Sequence, residues 1–303
     1  MKLHVILFFA LLMIFASCQS EKQYDRHQMN LQLTEDASYP LDVAVSDVQA
    51  TVHNGKYSDW TGFKISAEVA LSGARSDNSG WTLHPTFTSV SIDSLYEFSI
   101  QNYTMEGLAN EIQDKLSNEG ASEIKTSFIG DAFNYSFEKL MEQFINAIDE
   151  EDKLFKYYAN QSVYINGLIK SLYTFPGRFT KGYQWVDNFV VEIPNYKEIV
   201  HKEDVSVEWE LLRYNENEAT FFGKGRLSYP KFPFDDSDSI RLDIKRQFGI
   251  NLVIDRSSNW IKRGTIDLRE ETGEVVFSPE INADKRVPKK VRNIKIKLNP
   301  TKN

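Results

Sequence analysis

The sequence predicts an α+β fold: an antiparallel, β-rich body with a central helical section over about residues 105–172. Three observations predict it. Apolar residues recur at period two over residues 43–100, at period 3.6 over residues 105–172, and at period two again from Phe189 to the C-terminal end; these are the spacings of a half-buried strand and of an amphipathic helix. The 303 residues are 41% hydrophobic and 13% aromatic, which supplies a core and excludes disordered and collagen-like classes. A single cysteine excludes a scaffold stapled by internal disulfides.

The chain opens with Lys2, an unbroken apolar run over residues 5–16, and then Ser17-Cys18. A bilayer span needs about 20 apolar residues. This shorter run behind a positive start has the form of an export signal over residues 1–17. Phe15-Ala16-Ser17-Cys18 resembles the lipobox of bacterial lipoproteins, which implies that Cys18 is acylated on sulfur and becomes the mature N-terminus. That use also accounts for the lone thiol of an exported chain. The implied location is the bacterial cell envelope, lipid-anchored to the membrane through acyl chains such as palmitate, most readily at the outer membrane. Cleavage removes only Lys2 among the lysines and arginines, leaving 34 basic against 43 acidic groups and a net charge of −9. Such a body is repelled by nucleic acid, so none is expected as a partner.

Residues 18–40 combine the acylated cysteine with a polar stretch of mixed charge, expected to be a flexible tether. The globular body follows over residues 41–299. Val43, Val45, Val48, Ala50 and Val52 suggest a strand with a break. Phe63, Ile65, Ala67, Val69 and Leu71 alternate with Lys64, Ser66, Glu68 and Ala70 in a cleaner one. Trp81-Thr82-Leu83, residues 86–92 and residues 96–100 complete a meander. Met105, Leu108, Ala109, Ile112 and Leu116 then share one helical face. Phe137, Leu140, Met141, Phe144, Ile145 and Ile148 share another, with Glu138, Lys139, Glu142 and Gln143 outside it. Leu154 to Leu172 continues the helical spacing. From Phe189 onward short alternating runs predict strands, with connections at residues 214–218 and 255–259. The halves 41–104 and 175–299, joined by helices 105–174, form either one sheet or two lobes.

Phe175-Pro176-Gly177-Arg178-Phe179-Thr180-Lys181-Gly182-Tyr183-Gln184-Trp185 sits where helix gives way to strand. It resembles a corner of uncharacterised lipoproteins of the Bacteroidota type, an aromatic-proline step followed by a Lys, Gly and Trp arrangement. Here Lys181 directly precedes Gly182. The resemblance covers about residues 137–277 and implies no known reaction. Physically, Pro176 stops a helix, Gly182 allows a turn, and Trp185 offers a large area to bury. The corner therefore reads as packing, and Phe179, Tyr183 and Trp185 are the first candidates for a ligand site if it has one.

Reactive constellations are thin. His27, His53, His84 and His201 have no metal-ligand spacing, and no metal or other cofactor is expected. Asp235, Asp236 and Asp238 lack the glycine of a calcium loop. Gly223-Lys224-Gly225 lacks the remaining glycines of a phosphate loop, and no Gly-x-Ser-x-Gly elbow occurs. The expectation is a noncatalytic binding or assembly lipoprotein with an envelope protein, glycan or lipid as partner. The alternative is a hydrolase acting on a glycan or lipid.

Overall fold

The alternation over residues 63–71 is realised directly: Phe63, Ile65, Ala67, Val69 and Leu71 are at most 2% exposed, and the residues between them are not buried. The computed structural model describes residues 27–75, 80–96, 104–118, 123–126, 129–146, 169, 172–175, 180–194, 200–233, 240–278, 281–286 and 289–299. In chain order its strands are β1 (His27–Gln28), β2 (Ser38–Pro40), β3 (Val43–His53), β4 (Lys56–Arg75), β5 (Trp81–Tyr96), β6 (Ile124–Thr126), β7 (Thr174–Phe175), β8 (Gln184–Pro194), β9 (Val200–Tyr214), β10 (Glu218–Pro233), β11 (Ile240–Asp255), β12 (Ile261–Ser278), β13 (Ile281–Arg286) and β14 (Lys289–Leu298). The helices are α1 (Met105–Asn118) and α2 (Ile129–Asn146). The body is α+β, dominated by antiparallel sheet.

One twelve-stranded sheet runs β6-β5-β4-β3-β14-β12-β11-β10-β9-β8, with β2 added on β4 and β13 on β12. The C-terminal strand β14 lies between β12 and the N-terminal β3, so strands of both halves share this sheet. The two expected helices are present, separated by β6. On α1, Leu108, Ala109, Ile112 and Leu116 are buried as expected. Its first turn is capped by Thr104, whose Oγ1 accepts a bond from Gly107 N at 3.0 Å. The second helix begins at Ile129, eight residues before the expected stripe. Phe137, Leu140 and Phe144 are buried, and Phe144 packs on Phe63 with centroids 4.6 Å apart. Both helices thus pack against the inner face on the β4–β6 side of the sheet. Gln143, expected outside, is buried. Met141, Ile145 and Ile148, and residues 154–168, lie outside the described side chains. Ile169 and Leu172 are buried, as the helical spacing implied.

Three expectations change. Residues 27–40, expected within the tether, belong to the body: Met29 and Leu31 are buried, β1 pairs with β7, and β2 pairs with β4. Leu31 O also accepts a bond from buried Trp81 Nε1 at 3.1 Å, so a few apolar residues in a polar stretch suffice to pin it. Strands read as fragments are continuous. Pro85 lies within β5, at a position where only β4 pairs with it, so the missing N–H leaves no ladder bond broken. Gly223 and Gly225 lie within β10, because a Cβ at Gly223 would stand 2.6 Å from the Trp209 ring and one at Gly225 would strike Phe248. The break read between Val45 and Val48 is no gap in pairing, since Asp47 takes the inward position there; a bulge follows, where Ala50 faces both Asp59 and Trp60 of β4. Finally, β3 and β4 meet in an Asn54-Gly55 turn with φ of 50° and 77°, the positive pair that a two-residue hairpin of this twist requires.

Among the described residues the inner face is largely apolar, and four of its charged residues lie together in neighbouring strands. Arg246 Nε donates to Glu270 Oε2 at 2.6 Å, directly across β11 and β12. Glu270 is in register with Arg292 of β14, whose Nε donates to Asp47 Oδ1 and Oδ2 of β3 at 2.8 and 2.9 Å. All four are buried.

Candidate functional site

The corner expected to present aromatics is built around Gly182 at φ 78°. Tyr183 N donates to Thr180 O at 3.0 Å and Gly182 N to Leu211 O at 2.8 Å, which starts the β8–β9 pairing. Alternation along β8 then turns Trp185 inward. Its indole stacks on Trp209 at 6.0 Å and 17°, meets Phe221 edge-on at 6.2 Å, and lies 5.9 Å from the half-buried Tyr183. With Trp185 only 8% exposed, these rings form core, and the corner offers a ligand no open aromatic face at that residue. Phe179 lies outside the described residues.

A second feature is an open groove of about 400 Å³ lined by Ser38, Pro40, Asp42, Glu68, Thr88 and Asn299 among others. Asn299 braces its floor: its Oδ1 accepts from Asp42 N at 2.8 Å and its Nδ2 donates to Ile261 O at 2.6 Å. These bonds tie the end of β14 to β3 and β12, which makes the groove a structural junction. Among the described residues no group of three or more His, Cys, Asp or Glu is arranged to hold a metal ion.

The third feature lies toward the opposite end of the sheet, beside the tip of the β3–β4 hairpin. Tyr57 and Trp60 of β4 have ring centroids 5.7 Å apart, and Trp60 stacks on Tyr96 of β5 at 5.5 Å and 29°. Tyr57 is 47% and Tyr96 64% exposed. The backbone that carries this row is unusual. Asp59, just before Trp60, has φ 50°, and Tyr96 itself has φ 59°. A non-glycine residue in this left-handed region costs about 1–3 kcal/mol and persists where the surrounding structure imposes it. Ala50 and Val291, buried outside the main core cluster, pair across β3 and β14 beside the bulge.

Polar groups border the row. Arg269 Nη2 of β12 donates to Tyr57 Oη at 3.2 Å and pairs with Glu271 Oε1 at 3.2 Å. The Tyr57 hydroxyl first, and Glu271 after it, hold the guanidinium above the ordinary arginine range. Ser58 Oγ donates to Asp59 Oδ2 at 2.9 Å. Lys64 also pairs with Asp93 and Lys295 with Asp267. The arrangement is a row of three amphipathic rings beside planar hydrogen-bonding groups, with ion pairs Lys64–Asp93 and Lys295–Asp267 farther along the strands. None of the three aromatics stood out in sequence. The available signal was Asn54-Gly55, which marks a hairpin and so places Tyr57 and Trp60 beside its tip.

No family model matches the chain, and no curated protein matches it. Among solved structures, one of lipovitellin, described by its lipid-protein interactions, aligns with a TM-score of 0.42 and 9% identity. It covers 88% of this chain and 25% of lipovitellin, so the chain spans about a quarter of that protein's length. An outer membrane channel from Pseudomonas putida F1 aligns with a TM-score of 0.18 and 7% identity, over 89% of this chain and 98% of the channel. At these scores neither likeness bears on fold or function.

Proposed function

We propose that this chain is a lipid-anchored, noncatalytic binding or assembly module of the bacterial envelope, whose binding surface is the row Tyr57, Trp60 and Tyr96. The row, with Tyr57 and Tyr96 exposed on either side of half-buried Trp60 and with Asp59 and Tyr96 left-handed, carries the reading, since fold stability alone gives little reason to keep exposed aromatics beside strained backbone. The lipobox ending at Cys18 supports the anchor. Two acyl chains or more make such attachment stable, at about 0.8 kcal/mol for each buried methylene. The binding face replaces the corner at Tyr183 and Trp185, whose stacked rings serve packing.

Metabolic labelling with palmitate tests the anchor. The wild-type chain takes up label and fractionates with the outer membrane, whereas Cys18→Ala loses the label. Label that persists in Cys18→Ala overturns the anchor. Turnover of a defined substrate by the purified protein, abolished by one polar substitution, overturns the noncatalytic assignment.

A further inference from the structure

We infer that the row Tyr57, Trp60 and Tyr96 is a binding site for a neutral pyranose glycan; this rests on the binding-module reading and names its ligand class. Each ring pairs an apolar face with a polar tip, and aromatic faces of this kind stack on the C–H faces of sugar rings while tips bond hydroxyls. Arg269, Glu271 and Asp59 supply planar groups suited to vicinal hydroxyls, within the same patch. Arg269 is paired with Glu271 and Asp59 adds a further carboxylate, so these groups beside the rings together carry no net positive charge to draw an anionic polymer.

Two other occupants fit less well. A protein partner buries about 800 Å² on each side, and the described flanks of the row are charged pairs, Lys64–Asp93 and Lys295–Asp267, that such an interface would have to desolvate. The other exposed large hydrophobics among the described residues, Val186, Val190 and Leu212, belong to β8 and β9 at the far side of the sheet order. A membrane surface reaches the row only if the sheet lies along it. The chain enters the sheet where Ser38 pairs with Ser72, and Tyr57 lies 15 residues along the same strand, roughly 50 Å at about 3.3 Å per residue. The eight residues 19–26 reach at most about 28 Å from the acylated cysteine. The row therefore faces away from the anchoring lipid when the strands stand off the membrane.

The lipidated protein, kept in neutral detergent, is run through native gels cast with mixed-linkage β-glucan, galactomannan or xyloglucan, and with polygalacturonate as the anionic polymer. Retardation is expected in at least one neutral gel and not in polygalacturonate. Trp60→Ala and Tyr96→Ala each weaken the interaction about tenfold or more, as buried aromatic anchors do, with Tyr96→Ala leaving the melting temperature unchanged. Equal retardation of both variants and wild type, or retardation by polygalacturonate alone, overturns the proposal. No retardation in any gel overturns it too, and a photo-crosslinking amino acid in place of Tyr57 then separates the causes. Envelope-protein adducts in cells leave the binding-module reading standing without the glycan, whereas no adduct removes both.

Discussion

Arg292 and Asp47 bring a full ion pair into the interior where the last strand meets the first long one. Taking either charge out of water is costly, and each is tolerable only while the other holds it. Arg292→Met is therefore expected to cost about 3–5 kcal/mol, because Asp47 stays buried without its guanidinium. Asp47→Leu combined with Arg292→Met should recover most of that loss, and urea denaturation of the single and double variants measures the difference. If the double variant is as unstable as the single one, the pair contributes more than mutual neutralisation. Nothing at residue level in the sequence announced this. Asp47 interrupts an otherwise apolar alternation at Val43 and Val45, and its partner lies 245 positions away. Trp185 was more legible, since a tryptophan at the start of an alternating strand has a large area to bury, and the structure gives it Trp209 and Phe221.

At the scale of elements, periodicity found the helices through their buried faces. Phe144 on α2 and Phe63 on β4 belong to different periods and meet at 4.6 Å, which joins the helical layer to the sheet. Phe144→Ala is expected to cost about 3–5 kcal/mol, the range for removing a fully buried aromatic ring, read as a lowered denaturation midpoint with unchanged slope. A cost near zero would show that α2 is dispensable to the sheet. Strand lengths were much less legible. In β10 the inner positions at Gly223 and Gly225 carry no side chain, because Trp209 and Phe248 of the flanking strands fill that space. The apolar signal of one strand thus sits on its neighbours. The same logic hid the candidate site: Trp60 occupies a bulge, where alternation fails by construction, and Tyr96 sits at a left-handed strand end that no periodic pattern encodes.

At the scale of the whole molecule, the order β3-β14-β12 decides whether the chain unfolds in one step or two. The sequence alternated strands, helices and strands, and this pattern fits either two lobes or one sheet. Pairing of β14 between β3 and β12 favours one cooperative unit. Its inward residues Ile294, Ile296 and Leu298 belong to the same buried cluster as Ile65 from the first half and Leu252 from the second. The two halves also carry separate reporters: Trp60 and Trp81 before the helices, Trp185, Trp209 and Trp260 after them. We expect tryptophan fluorescence and far-ultraviolet circular dichroism to follow one coincident urea transition, the mark of an all-or-none process. Removing β14 should destroy that cooperativity, since it strips Asp47 of Arg292 and opens edges on both β3 and β12 for non-native pairing. The truncated chain is then expected to aggregate on refolding. If it instead keeps a soluble, cooperatively folded half, with fluorescence and dichroism melting apart in the intact chain, the halves fold independently and β14 only docks them.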